Sequence, residues 1–112
     1  MPNNIDSLAS NVKMGYNGRL VVTGRAVFSC VTEITQAGSK LIADLNEVNV
    51  DISGLTEFDS GTLAMLLEWQ KIATNTQKKI RFYNAPKSLL DLGRVYGLDT
   101  IINFEHGYSG KN

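Results

Sequence analysis

The residues of this sequence best suited to chemistry are acidic and hydroxyl side chains gathered between positions 51 and 60. They are Asp51, Ser53, Glu57, Asp59 and Ser60. Such carboxylates can hold a metal ion or act as general acid and base, but no histidine lies near them in sequence and no paired spacing is diagnostic. The same residue types also serve turns and helix starts. We therefore predict that the chain is not an enzyme and has no metal site or cofactor.

These residues connect a predicted strand to a predicted helix. Residues 48–52 are largely apolar, as in a strand covered on both faces, and Asp51, Ser53 and Gly54 favour a turn after it. The next helix is predicted from Ser60 to about residue 75, because either Asp59 or Ser60 can accept a bond from a free N–H of the first turn.

Two features of this helix bear on function. Its start is a place where negative charge is favoured, so a hydroxyl such as that of Ser60 is a plausible switch or docking point. Gly61 lets another surface approach the backbone closely. On the shoulder of the apolar arc, Met65 and Trp69 either join the core, which we favour, or reach a partner.

The N-terminal half supplies a hairpin and a helix. Asn17-Gly18 between two apolar runs is a strong hairpin signal, since both turn residues tolerate positive φ. Residues 28–45 have helical spacing with Gly38 in the apolar stripe, which suggests close approach to the sheet. The alternative is a break at Gly38-Ser39.

The C-terminal half adds three predicted elements. Residues 79–83 alternate as a strand, preceded by a solvated basic pair, Lys78-Lys79. Pro86 opens a helix that Gly97 ends, with Val95 and Tyr96 on its apolar side. Residues 101–102 form a short last strand.

The predicted order β-β-α-β-α-β-α-β describes a single small α/β domain. Its sheet is mixed and mostly parallel, with an N-terminal β-hairpin and about three helices packed on it. We place a flexible N-terminus at residues 1–10, the domain at 11–103 and a flexible C-terminal tail at 104–112.

Composition narrows the classes of function. The chain has 112 residues, with 11 Lys and Arg balancing 11 Asp and Glu, so no field of one sign draws it to nucleic acid or to an anionic membrane. No apolar run approaches the roughly 20 residues of a membrane span, and the N-terminus does not resemble a secretory signal. With Cys30 alone, an internal disulfide is impossible. We expect a cytoplasmic protein.

The motif around the helix start strongly resembles the STAS family. It comprises an Asp-Ile-Ser-Gly strand end at 51–54, Phe-Asp-Ser-Gly at 58–61, and Leu-Ala-Met-Leu-Leu-Glu-Trp at 63–69. The resemblance extends over most of the chain and includes Tyr96-Gly97-Leu98 near its end. Within the family, the helix sequence looks closest to the small cytoplasmic STAS subunits of Mla-type, or toluene-tolerance, phospholipid ABC transporters.

This resemblance implies a non-catalytic subunit that binds the transporter ATPase, in complex with its permease, at the inner face of the inner membrane. It would support phospholipid trafficking and outer-membrane lipid asymmetry, and would meet the membrane only through the transporter. The implied partner-binding residues are Asp59, Ser60, Gly61, Thr62 and Ala64.

A second branch, the anti-sigma-factor antagonists, implies an alternative. There, the serine corresponding to Ser60 is phosphorylated by a partner kinase, an anti-sigma factor. These antagonists typically carry a second serine next, whereas this chain has Gly61 and Thr62. That departure weakens the phosphorylation hypothesis and leaves the transporter hypothesis intact. An orphan STAS interaction module remains a third possibility.

Overall fold

A single five-stranded sheet organises the computed structural model, which describes residues 11–15 and 17–105. Its strands lie in chain order: β1 (Val12–Met14), β2 (Leu20–Ala26), β3 (Glu47–Phe58), β4 (Lys79–Tyr83) and β5 (Phe104–Glu105). β1 pairs with β2 antiparallel, and the other neighbours are parallel. The predicted mixed sheet with its N-terminal hairpin is confirmed.

Three helices connect the strands of the described part: α1 (Val31–Ala43), α2 (Ser60–Asn75) and α3 (Lys87–Val95). The predicted element order is therefore confirmed, and α2 has the predicted bounds. None of these helices has the length and apolar character that a membrane crossing requires. The prediction for residues 1–10, and that for residues 106–112 of the tail predicted at 104–112, lie outside the described residues.

Gly38 is buried in the middle of a continuous α1, so the alternative of a break there is wrong. The close approach that it permits is to helix α2 and not, as we predicted, to the sheet. A Cβ added at Gly38 would overlap the Trp69 indole, 2.6 Å from Cε2 and 2.9 Å from Nε1. The indole N–H donates to the Thr35 carbonyl oxygen at 2.9 Å. Glycine is therefore required here because a ring occupies the space of its side chain.

The core lies between the helices and one face of the sheet. In β3, Val48, Val50 and Ile52 are fully buried, while the alternating Asn49 and Asp51 are half-buried. The expectation that both faces of this strand are covered is thus wrong. Met65 and Trp69, with relative exposures of 1% and 0%, belong to the core, as we favoured.

β3 continues well past the predicted turn. Its first half, residues 47–51, pairs with β4, and the strand then runs on to Phe58 beside β2 alone. The register with β2 shifts at two places, which accommodates the turn-forming residues without ending the strand. Gly54 faces the Thr23 side chain so closely that an added Cβ would lie 2.7 Å from Cγ2.

The region after α3 differs most from its prediction. Residues 101–102 form a turn in which both amides donate to the Leu98 carbonyl, and the last strand is β5. Ile102 is buried through this turn and not through strand pairing. Val95 and Tyr96, expected on an apolar side, are 80% and 55% exposed. Gly97 ends the helix with a φ of +72°, as predicted.

Lys78 is not a solvated residue, contrary to its prediction. Its Nζ donates to the carbonyl oxygens of Ile42 at 2.8 Å and Ala43 at 3.0 Å. These carbonyls lie at the C-terminal end of α1, where a cation is favoured by the helix dipole. The ammonium thus joins the start of β4 to the end of α1.

Candidate functional site

Helix α2 begins with a reciprocal capping arrangement. Asp59 is the N-cap residue, and its Oδ1 accepts a hydrogen bond from the Gly61 N–H at 2.8 Å. The Thr62 hydroxyl in turn accepts from the Asp59 N–H at 3.0 Å. This satisfies donors that would otherwise be unpaired at a helix start. Of the two candidate caps, Asp59 is therefore the cap and Ser60 is the first helical residue.

The same carboxylate also holds the loop between β2 and α1. The Phe28 N–H donates to Asp59 Oδ1 at 3.0 Å and to Oδ2 at 3.2 Å. Gly61 packs against the backbone of this loop, because a Cβ there would lie 2.6 Å from Phe28 Cα and 2.7 Å from Phe28 N. One side chain and one glycine thus fix two segments that are far apart in sequence.

Thr62 ties α2 to the end of β2. Its side chain is fully buried, and its hydroxyl donates to the Ala26 carbonyl oxygen at 2.6 Å. Gly61 is buried as well. These two predicted partner-binding residues therefore do not offer side chains to a partner, and they hold the backbone at the start of α2 in place.

Several residues at this point are exposed, among them Ser29, and we call three of them the α2-start surface: Phe28, Ser60 and Ala64. Ser60 and Ala64 are four residues apart on α2, so they share one face of the helix. Asp59 beside them is half-buried. Direct contact through Ser60, Ala64 and Asp59 stays a prediction. Phe28, 77% exposed, was missed by the sequence analysis.

Each carboxylate of the 51–59 segment has its own partners. Glu57 pairs with Arg25 at 3.0 Å, with both side chains more than half exposed, so the pair contributes little to stability. Asp51 accepts from the Ser53 N–H at 2.9 Å, and Asp59 caps α2. Among residues 11–15 and 17–105, no three His, Cys, Asp or Glu side chains are grouped to hold a metal ion.

The electrostatics of Asp51 fit a structural role. Partial burial acts to raise the pKa of its carboxyl, but hydrogen bonds from Ser53 and Asn84 and the nearby Arg19 charge lower that pKa overall. Arg19 also lies 3.8 Å above the centre of the Tyr83 ring, a cation–π contact. A shallow cavity of about 430 Å³ is lined by Arg19, Tyr83, Asn84 and Glu105.

The structure is that of a small α/β domain in which the start of helix α2 is capped and tied to β2 and to the loop after it. A family model described as "Mlab, STAS domain" matches residues 12–103, most of the chain. The chain therefore belongs to the STAS domain family, whose members are typically non-catalytic binding domains that mediate protein–protein interaction.

A solved structure supports the fold independently. The anti-sigma factor antagonist SpoIIAA in its unphosphorylated form superposes with a TM-score of 0.63, covering 89% of this chain and 90% of that chain. The two sequences are 13% identical, so the likeness concerns the fold alone. Comparison with curated proteins gave no match.

Proposed function

We propose that this chain is the non-catalytic STAS subunit that binds and supports the ATPase of an Mla-type phospholipid ABC transporter. The α2-start surface is the contact, with Ser60 and Ala64 facing the ATPase. Through that contact the chain sits at the cytoplasmic face of the inner membrane, together with the permease. It thereby serves phospholipid trafficking and outer-membrane lipid asymmetry.

The observation that carries this proposal is the exposure of Ser60 and Ala64 at a helix start whose backbone is fixed by hydrogen bonds. The capping arrangement, the Thr62 bond to β2 and the Asp59 bonds to the loop all act on backbone next to the exposed residues. A preorganised surface loses little conformational entropy on binding. The description of the matched family model, "Mlab, STAS domain", supports the choice of the Mla-type branch of the family.

The shape of the surface also suits close docking. Ser60 and Ala64 are small, so a partner can come close to the α2 backbone. An arginine at position 60 would stand in the way and bring a charge into the contact. Because Ser60 is exposed and is not the cap, such a change should leave the fold intact.

The test is affinity purification of the tagged full-length chain from its native cells in mild detergent, with mass spectrometry of what co-purifies. We expect an ABC ATPase with its permease. Ser60→Arg should lose that ATPase, whereas Thr74→Arg, at an exposed position near the other end of α2, should retain it. Recovery of no ATPase with the wild-type chain, or undiminished recovery with Ser60→Arg, contradicts the proposal.

A second candidate function is an anti-sigma-factor antagonist that is switched by phosphorylation of Ser60. The observation in its favour is that the Ser60 hydroxyl is exposed in the first turn of α2 and makes no hydrogen bond to the described residues. Phosphate there would add roughly −2 charge beside Asp59, which a packed interface would not tolerate.

The local packing explains why Ser60 is not followed by a second serine, as it typically is in the antagonists. A serine at position 61 would need a Cβ where the Phe28 backbone already lies. The intact mass of the chain purified above decides between the two functions. A phosphorylated fraction together with a kinase-like partner favours the switch, and an unmodified chain with an ATPase favours the transporter subunit.

A further inference from the structure

Phe28 combines an exposed ring with a fixed backbone. Its side chain is 77% exposed, yet its amide is held by both oxygens of Asp59 and its Cα packs against Gly61. A scattered apolar side chain on a surface is ordinary and needs no explanation. Phe28 differs from such a scattered side chain, because the backbone that carries its ring is anchored to the proposed contact surface.

We propose that Phe28 is the apolar anchor of the α2-start surface and that the ATPase provides an apolar pocket for its ring. This inference rests on the proposed function. Aromatic side chains are enriched among the few residues that dominate interface energetics, and they act by filling desolvated pockets. The ring has only two side-chain torsions to fix, so its ordering costs little beside the area that it buries.

The position of Phe28 next to small residues defines the partner's shape. Ser60 and Ala64 are small, and Phe28, whose backbone packs against Gly61, carries the one large apolar side chain of the α2-start surface. The ATPase should therefore present a flat segment over α2 next to a cavity the size of a benzyl group. The adjacent Arg25–Glu57 pair is exposed and internally neutral, so it fits the rim of an interface better than its centre.

The chain offers a matched control on another surface. Tyr96 is 55% exposed, near Val95 at 80%, just beyond α3. It is likewise a single aromatic ring outside the core. No described contact joins Tyr96 to Asp59, Gly61 or Thr62. Truncating either ring removes a similar apolar area without touching the core.

The experiment measures affinity of the full-length chain for the ATPase recovered with it, by titration calorimetry or surface plasmon resonance. We expect Phe28→Ala to raise Kd by about 30-fold or more, the scale of a dominant interface residue. Phe28→Leu should lose less, because an apolar group still enters the pocket. Tyr96→Ala should stay within about threefold of wild type, as expected of a residue outside the interface.

The outcomes separate this inference from the function on which it rests. If the wild-type chain binds the ATPase, and Ser60→Arg abolishes binding while Phe28→Ala does not weaken it, the anchor is wrong and the proposed function stands. If Tyr96→Ala weakens binding and Phe28→Ala does not, the contact lies near the end of α3 and the anchor is again wrong. If the wild-type chain binds no ATPase, both the anchor and the proposed function are wrong. Thermal unfolding of each variant, with unchanged midpoints expected, confirms that all are folded.

Discussion

Helix α2 is held by different kinds of contact at its middle and at its start. At the middle of the two helices, in what we call the α1–α2 seam, Gly38 packs directly against the fully buried Trp69 indole. At the start of α2, the contacts are hydrogen bonds from Asp59 and Thr62 to backbone groups. The seam fixes where α2 lies, whereas the polar contacts fix the shape of the surface it displays.

This difference has a consequence for mutations. Close packing is sensitive to added volume, since interiors have few voids. A capping network is sensitive instead to loss of an acceptor, and it leaves neighbouring exposed positions free to change. Ser60 can therefore be substituted without risk to the fold, whereas Gly38 cannot.

The largest effect is expected from Gly38→Ala. The added methyl would collide with the Trp69 indole, so either the ring or α1 must move. Overpacking of this kind costs about 1–3 kcal/mol, and we expect the upper end because the ring is fully buried and hydrogen-bonded. Urea denaturation of the variant measures the loss.

Gly93→Ala is the control, since Gly93 is also buried within a helix. There, an added Cβ meets its nearest neighbours at 3.8 Å, an ordinary contact. We expect a gain of about 0.5–1 kcal/mol from helix propensity and reduced backbone freedom. Equal effects of the two substitutions would show that the seam does not restrict volume in the way described.

An intermediate effect is expected from Asp59→Ala. It removes the cap of α2 and the acceptor of the Phe28 amide together, so we expect a loss of about 1–2 kcal/mol in the free energy of unfolding. Asp59→Asn, which keeps an acceptor oxygen, should lose less. Chemical denaturation of the wild-type chain and the two variants measures their free energies of unfolding.

Ser60→Ala provides the contrast, because its hydroxyl is exposed and bonded to no described residue. We expect stability within about 0.5 kcal/mol of wild type. If Ser60→Ala cost as much as Asp59→Ala, the assignment of the cap to Asp59 would be wrong.

The smallest effect is expected on stability at acid pH, through the carboxyl group of Asp51. Because the folded pKa of Asp51 is lowered, the unfolded state binds more protons at acid pH. The stabilisation is present above the ordinary pKa of about 3.9 and is lost as pH falls through the lower folded value. Asp51→Asn should therefore flatten the decline in denaturation midpoint between about pH 5 and pH 3.

Asp91 supplies a comparison for this prediction. Its pKa is lowered by hydrogen bonds from Lys87 and Arg94, and its side chain is 46% exposed. Salt should screen the contribution of Asp91 more strongly than that of Asp51, whose partners include a backbone amide. An acid decline unchanged in Asp51→Asn would show that its hydrogen bonds persist in the unfolded chain or do not form.

The sequence was sufficient for the features that depend on local pattern. The Asn17-Gly18 hairpin, the element order and the bounds of α2 all follow from turn residues and apolar spacing, and all are present. The cap of α2 is a feature that local sequence pattern could not decide. Asp59 and Ser60 are both good capping residues, and Asp59 is also the acceptor of an amide 31 positions away.

The features that were wrong or missed depend on contacts distant in sequence. β3 passes through residues that favour turns because β2 remains beside it after β4 has ended. Gly38 faces an indole that no spacing rule places there. Phe28 follows an apolar run, so the sequence alone favours a core position for it. In the folded chain, its ring is exposed to solvent.

The shared acceptor at Asp59 also has a consequence for exchange with solvent. The amide hydrogens of Phe28 and Gly61 are both held by the same carboxylate. Release of that carboxylate frees both amides in one event, so they should open as one local unit despite their separation in the chain. Their protection against deuterium should rise and fall together, and a partner that covers either one should slow both.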